Sequence, residues 1–209
     1  SLSQMWNDFL PDQNSKVTFA QGGYYLLPLP LPQDSSHNQT HHYLMVINSL
    51  LYDDNNIFID DVVDPSQQIT WMINELNDLR SNGNHVWISG HIPLDSGEAN
   101  PHWAQLMYEL SQNYSDVIDY QFWGHTHEDY YFLITNQTSN ISQSQLIPVG
   151  VVFVSPSLQA NFRLSSFRQY FYQRHTMEIV DYREYVTNLT DIINSDQMFY
   201  TIYYQAQNE

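Results

Sequence analysis

The sequence predicts a mixed α/β fold, and three observations predict it. Short apolar runs alternate with helical periodicity between Tyr43 and Trp123. Two of those runs end in a Gly-His pair, at Gly90-His91 and Gly124-His125. After His127 the pattern turns to Tyr-, Phe- and Val-rich stretches joined by short polar turns. Strand–helix–strand–helix–strand order suggests a largely parallel sheet, and sites in such sheets gather beyond the carboxyl ends of the strands.

Residues 1–40 show weak periodicity, and the alternate prolines Pro28, Pro30 and Pro32 favour an extended or edge segment over a helix. Tyr43–Asn48 reads as a buried strand, followed by an Asp/Asn-rich loop from Asp53 to Asp64. Asp64-Pro65 marks a helix start, because Asp caps orphan amides and proline suits the first turn. Ile69, Met72, Leu76 and Leu79 then recur on one helical face, and Gly83 suits a left-handed cap.

His85–Ser89 is the next predicted strand, with His91 just past its end. A second helix fits Asn100 to Gln112, with Trp103, Leu106, Leu110 and Tyr114 inward. Val117–Trp123 is a further strand. Tyr130–Thr135, Leu146–Val154, Arg168–Arg174 and Met177–Tyr182 read as four strands of one antiparallel region. From Thr190 onward an amphipathic helix carrying Ile193, Met198 and Ile202 is expected.

The sharpest chemical signal is Gly124-His125-Thr126-His127, read together with His91. Glycine lets backbone approach closely, and imidazole nitrogen ligates zinc, iron and manganese near neutral pH. If 124–127 is extended, both rings point to one side and can serve two metals about 3.5–4 Å apart, an arrangement that clamps a phosphoryl group. His37, His41, His42, His102 and His175 have no partner at ligand spacing and read as ordinary histidines. Gly83-Asn84-His85 starts like a metal-binding Gly-Asn-His-acid motif. Val86 follows it, so it reads as a helix-ending turn.

Composition narrows the function. Six Lys+Arg against 23 Asp+Glu leave a formal charge of −17 over 209 residues, which excludes an electrostatic grip on nucleic acid. Without cysteine, neither a disulfide framework nor a thiolate metal site is available, which weighs mildly against an extracellular address. No apolar run reaches the roughly 20 residues of a membrane span, and no signal peptide is visible at Ser1–Trp6. Sequons at Asn38, Asn113, Asn136, Asn140 and Asn188 favour a lumenal address.

Taken in order, Asp64-Pro65, the helix Gln67–Leu79, Gly90-His91-Ile92-Pro93 and Gln121–His127 resemble the acid sphingomyelinase-like phosphodiesterases, a branch of the calcineurin-like metallophosphoesterases. Trp6 with Phe9-Leu10, Gly22–Tyr25, Val154–Ser157 and Tyr185–Thr190 agree. The resemblance implies the C-terminal half of a four-layer α/β/β/α sandwich of mixed sheets with flanking helices. It divides the chain into a partial catalytic domain over 1–187 and the start of a C-terminal helical region over 188–209.

The same resemblance implies two divalent metal ions, zinc in this family. His91 and His125 would bind one and His127 the other. The expected substrate is a phosphodiester small molecule or lipid headgroup, such as sphingomyelin or a nucleotide-like diester, with peripheral membrane contact and a secreted, lysosomal or vacuolar lumenal address. The family's Asp-x-His, Gly-Asp-x-x-Asp and Gly-Asn-His-acid motifs have no credible counterpart here. The chain is therefore expected to be inactive alone and to start after those motifs. Two alternatives stand beside this reading: a non-catalytic truncated relative acting as scaffold or weak metal binder, and an endopolyphosphatase-like hydrolase.

Overall fold

The computed structural model describes residues 2–6, 8–10, 12–30, 40–58, 62–137, 146–159, 164–195, 197 and 199–208. Pro32, His37, Asn38, Asn140 and Met198 lie outside the described residues. Within them, a six-stranded sheet runs in the order β1-β2-β3-β4-β6-β5. Its strands are β1 (Tyr25–Pro28), β2 (His42–Val46), β3 (His85–Ser89), β4 (Ile118–Trp123), β5 (Tyr130–Gln137) and β6 (Leu146–Val154). The strands β2, β3, β4 and β6 are parallel, while β1 and β5 close the edges antiparallel. Pro28, which ends β1, thus holds an edge position as predicted.

Two helices, α3 (Gln68–Ser81) and α4 (Pro101–Asn113), join β2 to β3 and β3 to β4. Asp64 starts α3 from across an intervening 3-10 turn, accepting from Ile69 N at 2.8 Å and Thr70 N at 3.0 Å. At its end Gly83 adopts φ 65°, with Asn84 N donating to Leu79 O and Gly83 N to Arg80 O, so the predicted left-handed cap is present. Asn100 caps α4 by accepting from His102 N and Trp103 N.

The helical periodicity translates into packing. Met72 and Leu76 of α3 and Trp103 and Met107 of α4 are buried in one cluster with Val86, Ile88 and Val152 of the sheet. Burying each aliphatic side chain contributes about 1.5–3 kcal/mol. The expected inward Leu106 is only partly buried, and Met107 takes the central place. On the opposite face, Trp87, Phe122 and Phe153 meet Tyr172, Tyr170 and Tyr182 of a second sheet. That sheet is β7 (Ser165–Tyr172), β8 (Ile179–Thr187) and β9 (Thr201–Gln205), all antiparallel. Helix, mixed sheet and second sheet are thus stacked in the layers of a metallophosphoesterase-like α/β fold.

Three expectations need correction. The first 40 residues hold α1 (Leu2–Met5) and a 10-residue helix α2 (Gln13–Gly22), whose weak periodicity hid it. Asp12 caps α2 by accepting from Ser15 N, and Gly23 ends it at φ 78°. The four late strands do not form one antiparallel region. Apolar β6 runs inside the main sheet beside β4, while β7 and β8 belong to the second sheet. The helix at Thr190 stops early, as α5 (Leu189–Ser195), because Thr201-Ile202-Tyr203-Tyr204 is β-branched and aromatic and pairs with β8 as a strand.

Candidate metal centre

Parallel pairing puts the carboxyl ends of β3 and β4 side by side, with Ser89 opposite Phe122. The pairing continues past the strands: Gly90 N donates to Phe122 O at 3.1 Å and Gly124 N to His91 O at 3.0 Å. The two histidine loops are therefore tied by main-chain bonds. Ser49, buried in the 3-10 turn that follows β2, accepts from His91 N at 3.1 Å and Ile92 N at 2.8 Å. Three consecutive parallel strands converge on this point.

The two glycines serve differently. A Cβ on Gly90 would stand 2.5 Å from Trp123 Cζ3, a contact that only glycine avoids. A Cβ on Gly124 would meet His91 Nδ1 at an ordinary 3.9 Å. Strain sits instead on His125 and His127, at φ 70° and 59°. The segment 124–127 is thus not extended as expected. A tight turn with Thr126 N donating to Gly124 O carries the two rings, so alternation along a strand is not what aims them.

His125 Nδ1 comes to 3.4 Å from His91 Nε2, with the rings 5.1 Å apart and nearly perpendicular. Two imidazole nitrogens sharing a tetrahedral zinc at about 2.0–2.1 Å would themselves be about 3.4 Å apart. The N···N separation of the pair matches that spacing. Glu98 Oε2 lies 2.8 Å from the far nitrogen, His125 Nε2. A carboxylate there holds the proton on Nε2 and leaves Nδ1 as a lone pair facing His91. Burial, and then the neighbouring His125 and His127, push the His91 pKa below its ordinary value and favour the neutral, ligating form.

His127 lies near enough to His91 for its charge to be felt there. It lines a cleft of about 780 Å³ together with Asp129, Ser166, Glu184, Tyr203 and Tyr204. Among the described residues no group of three or more His, Asp or Glu side chains is disposed to hold a metal ion.

His42 and His85 serve as structural groups. His85 Nδ1 and His42 Nδ1 flank Asp119 at 2.8 and 3.2 Å, with their rings stacked 5.3 Å apart. This cluster occupies the amino-terminal part of β2, β3 and β4, away from His91. Gly83 turns left-handed at the end of α3 and Asn84 Oδ1 accepts from His41 N, so Gly83-Asn84-His85 is a helix-ending turn and not a metal motif. Sequence reasoning missed Glu98 and Ser49. Neither belongs to a motif, and each meets the histidines across a loop whose course is set by strand order.

No family model matches the chain. Sphingomyelinase phosphodiesterase C of Dictyostelium discoideum is 29% identical over 221 residues, spanning 99% of this chain and 47% of that protein. Sphingomyelin phosphodiesterase A of the same organism is 31% identical over 145 residues, 68% of this chain and 24% of that protein. Cyclic GMP-AMP phosphodiesterase SMPDL3A of Homo sapiens is 26% identical over 200 residues, 91% of this chain and 42% of that protein. The chain spans less than half the length of each of these relatives.

Proposed function

The chain is a relative of the acid sphingomyelinase-like phosphodiesterases, and on that premise we propose that it supplies metal-binding residues to a phosphodiester hydrolase. His91 Nε2 and His125 Nδ1 hold one divalent ion, zinc by family likeness, and His127 belongs to a second. The 3.4 Å approach of those two nitrogens is the observation that carries this reading. Bound there, such ions supply Lewis-acid polarisation of a phosphoryl oxygen and activation of water near neutral pH.

The chain's own residues do the positioning. Ser49 and the paired glycine amides fix where His91 sits, and Glu98 fixes the tautomer and direction of His125. The relatives' names span a sphingolipid headgroup and a cyclic dinucleotide. Their shared chemistry, a phosphodiester, is the substrate class proposed here.

Residues 1–187 are read as part of the catalytic domain and 188–209 as the start of a C-terminal helical region, although β9 within it still pairs with β8. A secreted or lysosomal address goes with this reading and is supported by exposed sequon residues at Asn113 and Asn188. No helix among the described residues is long and apolar enough to cross a membrane.

A second reading is a non-catalytic relative that binds one metal weakly. It is favoured by the lack of a three-donor group among the described residues. Zinc titration of the purified chain, with hydrolysis of bis(p-nitrophenyl) phosphate, tests both. We expect one zinc bound through His91 and His125 and negligible turnover by the chain alone. Zinc binding unchanged in His91→Ala and His125→Ala would remove the basis of the proposal.

A further inference from the structure

We propose that Arg168 is a positioning residue for the His127 loop, acting through Asp129; the role rests on the metallophosphoesterase reading, although the clamp itself can be tested without metal. Arg168 stands on β7, its side chain 1% exposed, and pairs with Asp129, whose side chain is 14% exposed. Asp129 is two residues past His127 and directly before β5.

The guanidinium is built into its place. It lies over the rings of Tyr182, Tyr170 and Phe153 at 4.7, 5.6 and 5.8 Å. Nη1 donates to Tyr170 OH at 2.9 Å and Nη2 to Val154 O at 3.3 Å. Across the strand pair stands Glu184, whose carboxyl pKa is raised chiefly by burial and drawn back by Ser166 and Arg168. A cation withdrawn from water this far is tolerable only with an anion fixed beside it, and Asp129 is that anion.

Asp129 is also held from a third strand, by a hydrogen bond from Tyr204 OH of β9 to its second carboxylate oxygen. Burial, foremost, raises the phenol's pKa, so Tyr204 remains a proton donor at any physiological pH. Two strands of the second sheet thereby grip the point where the histidine loop re-enters the first sheet. Within that loop His127 keeps a left-handed backbone that histidine seldom adopts, and Glu128 N reaches Thr126 Oγ1 at a long 3.4 Å. The turn bond from Thr126 N to Gly124 O stops short of His127, and the Asp129 anchor sets where His127 presents its ring to the cleft that Asp129 and Tyr204 also line.

Hydrogen exchange of the metal-free chain, followed by cobalt titration, tests the clamp with Arg168→Lys and the milder Tyr204→Phe. Lysine keeps the charge but loses the guanidinium fork, and phenylalanine keeps the ring but loses the donor. We expect amides 126–130 to exchange at least tenfold faster in both variants, or in Tyr204→Phe alone if Arg168→Lys does not fold. Exchange in α3 should be unchanged, and cobalt affinity at His91 and His125 should stay within threefold. Loop exchange equal to wild type, or faster exchange spread through α3 as well, overturns the proposal. Should wild-type chain take up no cobalt, the metal reading fails while the exchange pattern still decides the clamp.

Discussion

His125 Nδ1 lies 3.4 Å from His91 Nε2, although 34 residues separate them in the chain. Parallel pairing of β3 with β4 makes the contact, and Glu98 holds the outer nitrogen of His125 at 2.8 Å. Glu98→Gln should therefore weaken zinc binding about 10- to 100-fold, the usual cost of losing a partner behind a ligating histidine. Calorimetric zinc titration measures it. An unchanged affinity would mean that Glu98 does not orient the ring.

Gly90→Ala should destabilise the fold by about 1–3 kcal/mol, because the added methyl overlaps the Trp123 ring. Gly124→Ala, with its nearest contact at 3.9 Å, should cost less than about 1 kcal/mol. Urea denaturation compares the two. Equal losses would show that the loops do not pack as described.

Asp64→Ala should cost about 0.5–2 kcal/mol, since its carboxylate serves two amides and the Thr70 hydroxyl at the start of α3. The loss should appear as a lower denaturation midpoint with the slope unchanged. No change would mean that water replaces the cap without loss.

His91 gives stability a pH dependence whose sign is fixed. Its pKa is lowered in the fold from an ordinary 6.5, so below pH 6.5 the unfolded chain binds the proton more readily than the native one. Stability should fall as pH drops from 6.5 towards the folded value, then cease to depend on this group. His91→Gln should remove that component from a denaturation series between pH 7.5 and 4.5. A slope identical to wild type would contradict the assignment.

Much of the fold was legible because local chemistry and tertiary environment agree. Ile69, Met72, Leu76 and Leu79 share a face and bury it, and Gly83 is a left-handed cap in sequence and structure alike. Legibility failed where pairing partners decide. Nothing local says that Leu146–Val154 runs parallel to β4, or that Thr201–Gln205 leaves the helical pattern to pair with β8. The site divides along the same line. The Gly-His spacing pointed to His91 and His125, which the fold brings into contact, whereas Glu98, Ser49 and Arg168 reach the histidine loops only through strand order and loop course.

The central claim is that His91 and His125 share one metal ion. Anomalous diffraction at the zinc edge from zinc-soaked crystals tests it most directly. The account predicts a single strong peak about 2.0–2.1 Å from both His91 Nε2 and His125 Nδ1. A peak at the His42–Asp119–His85 cluster instead, or none near His91, would contradict it.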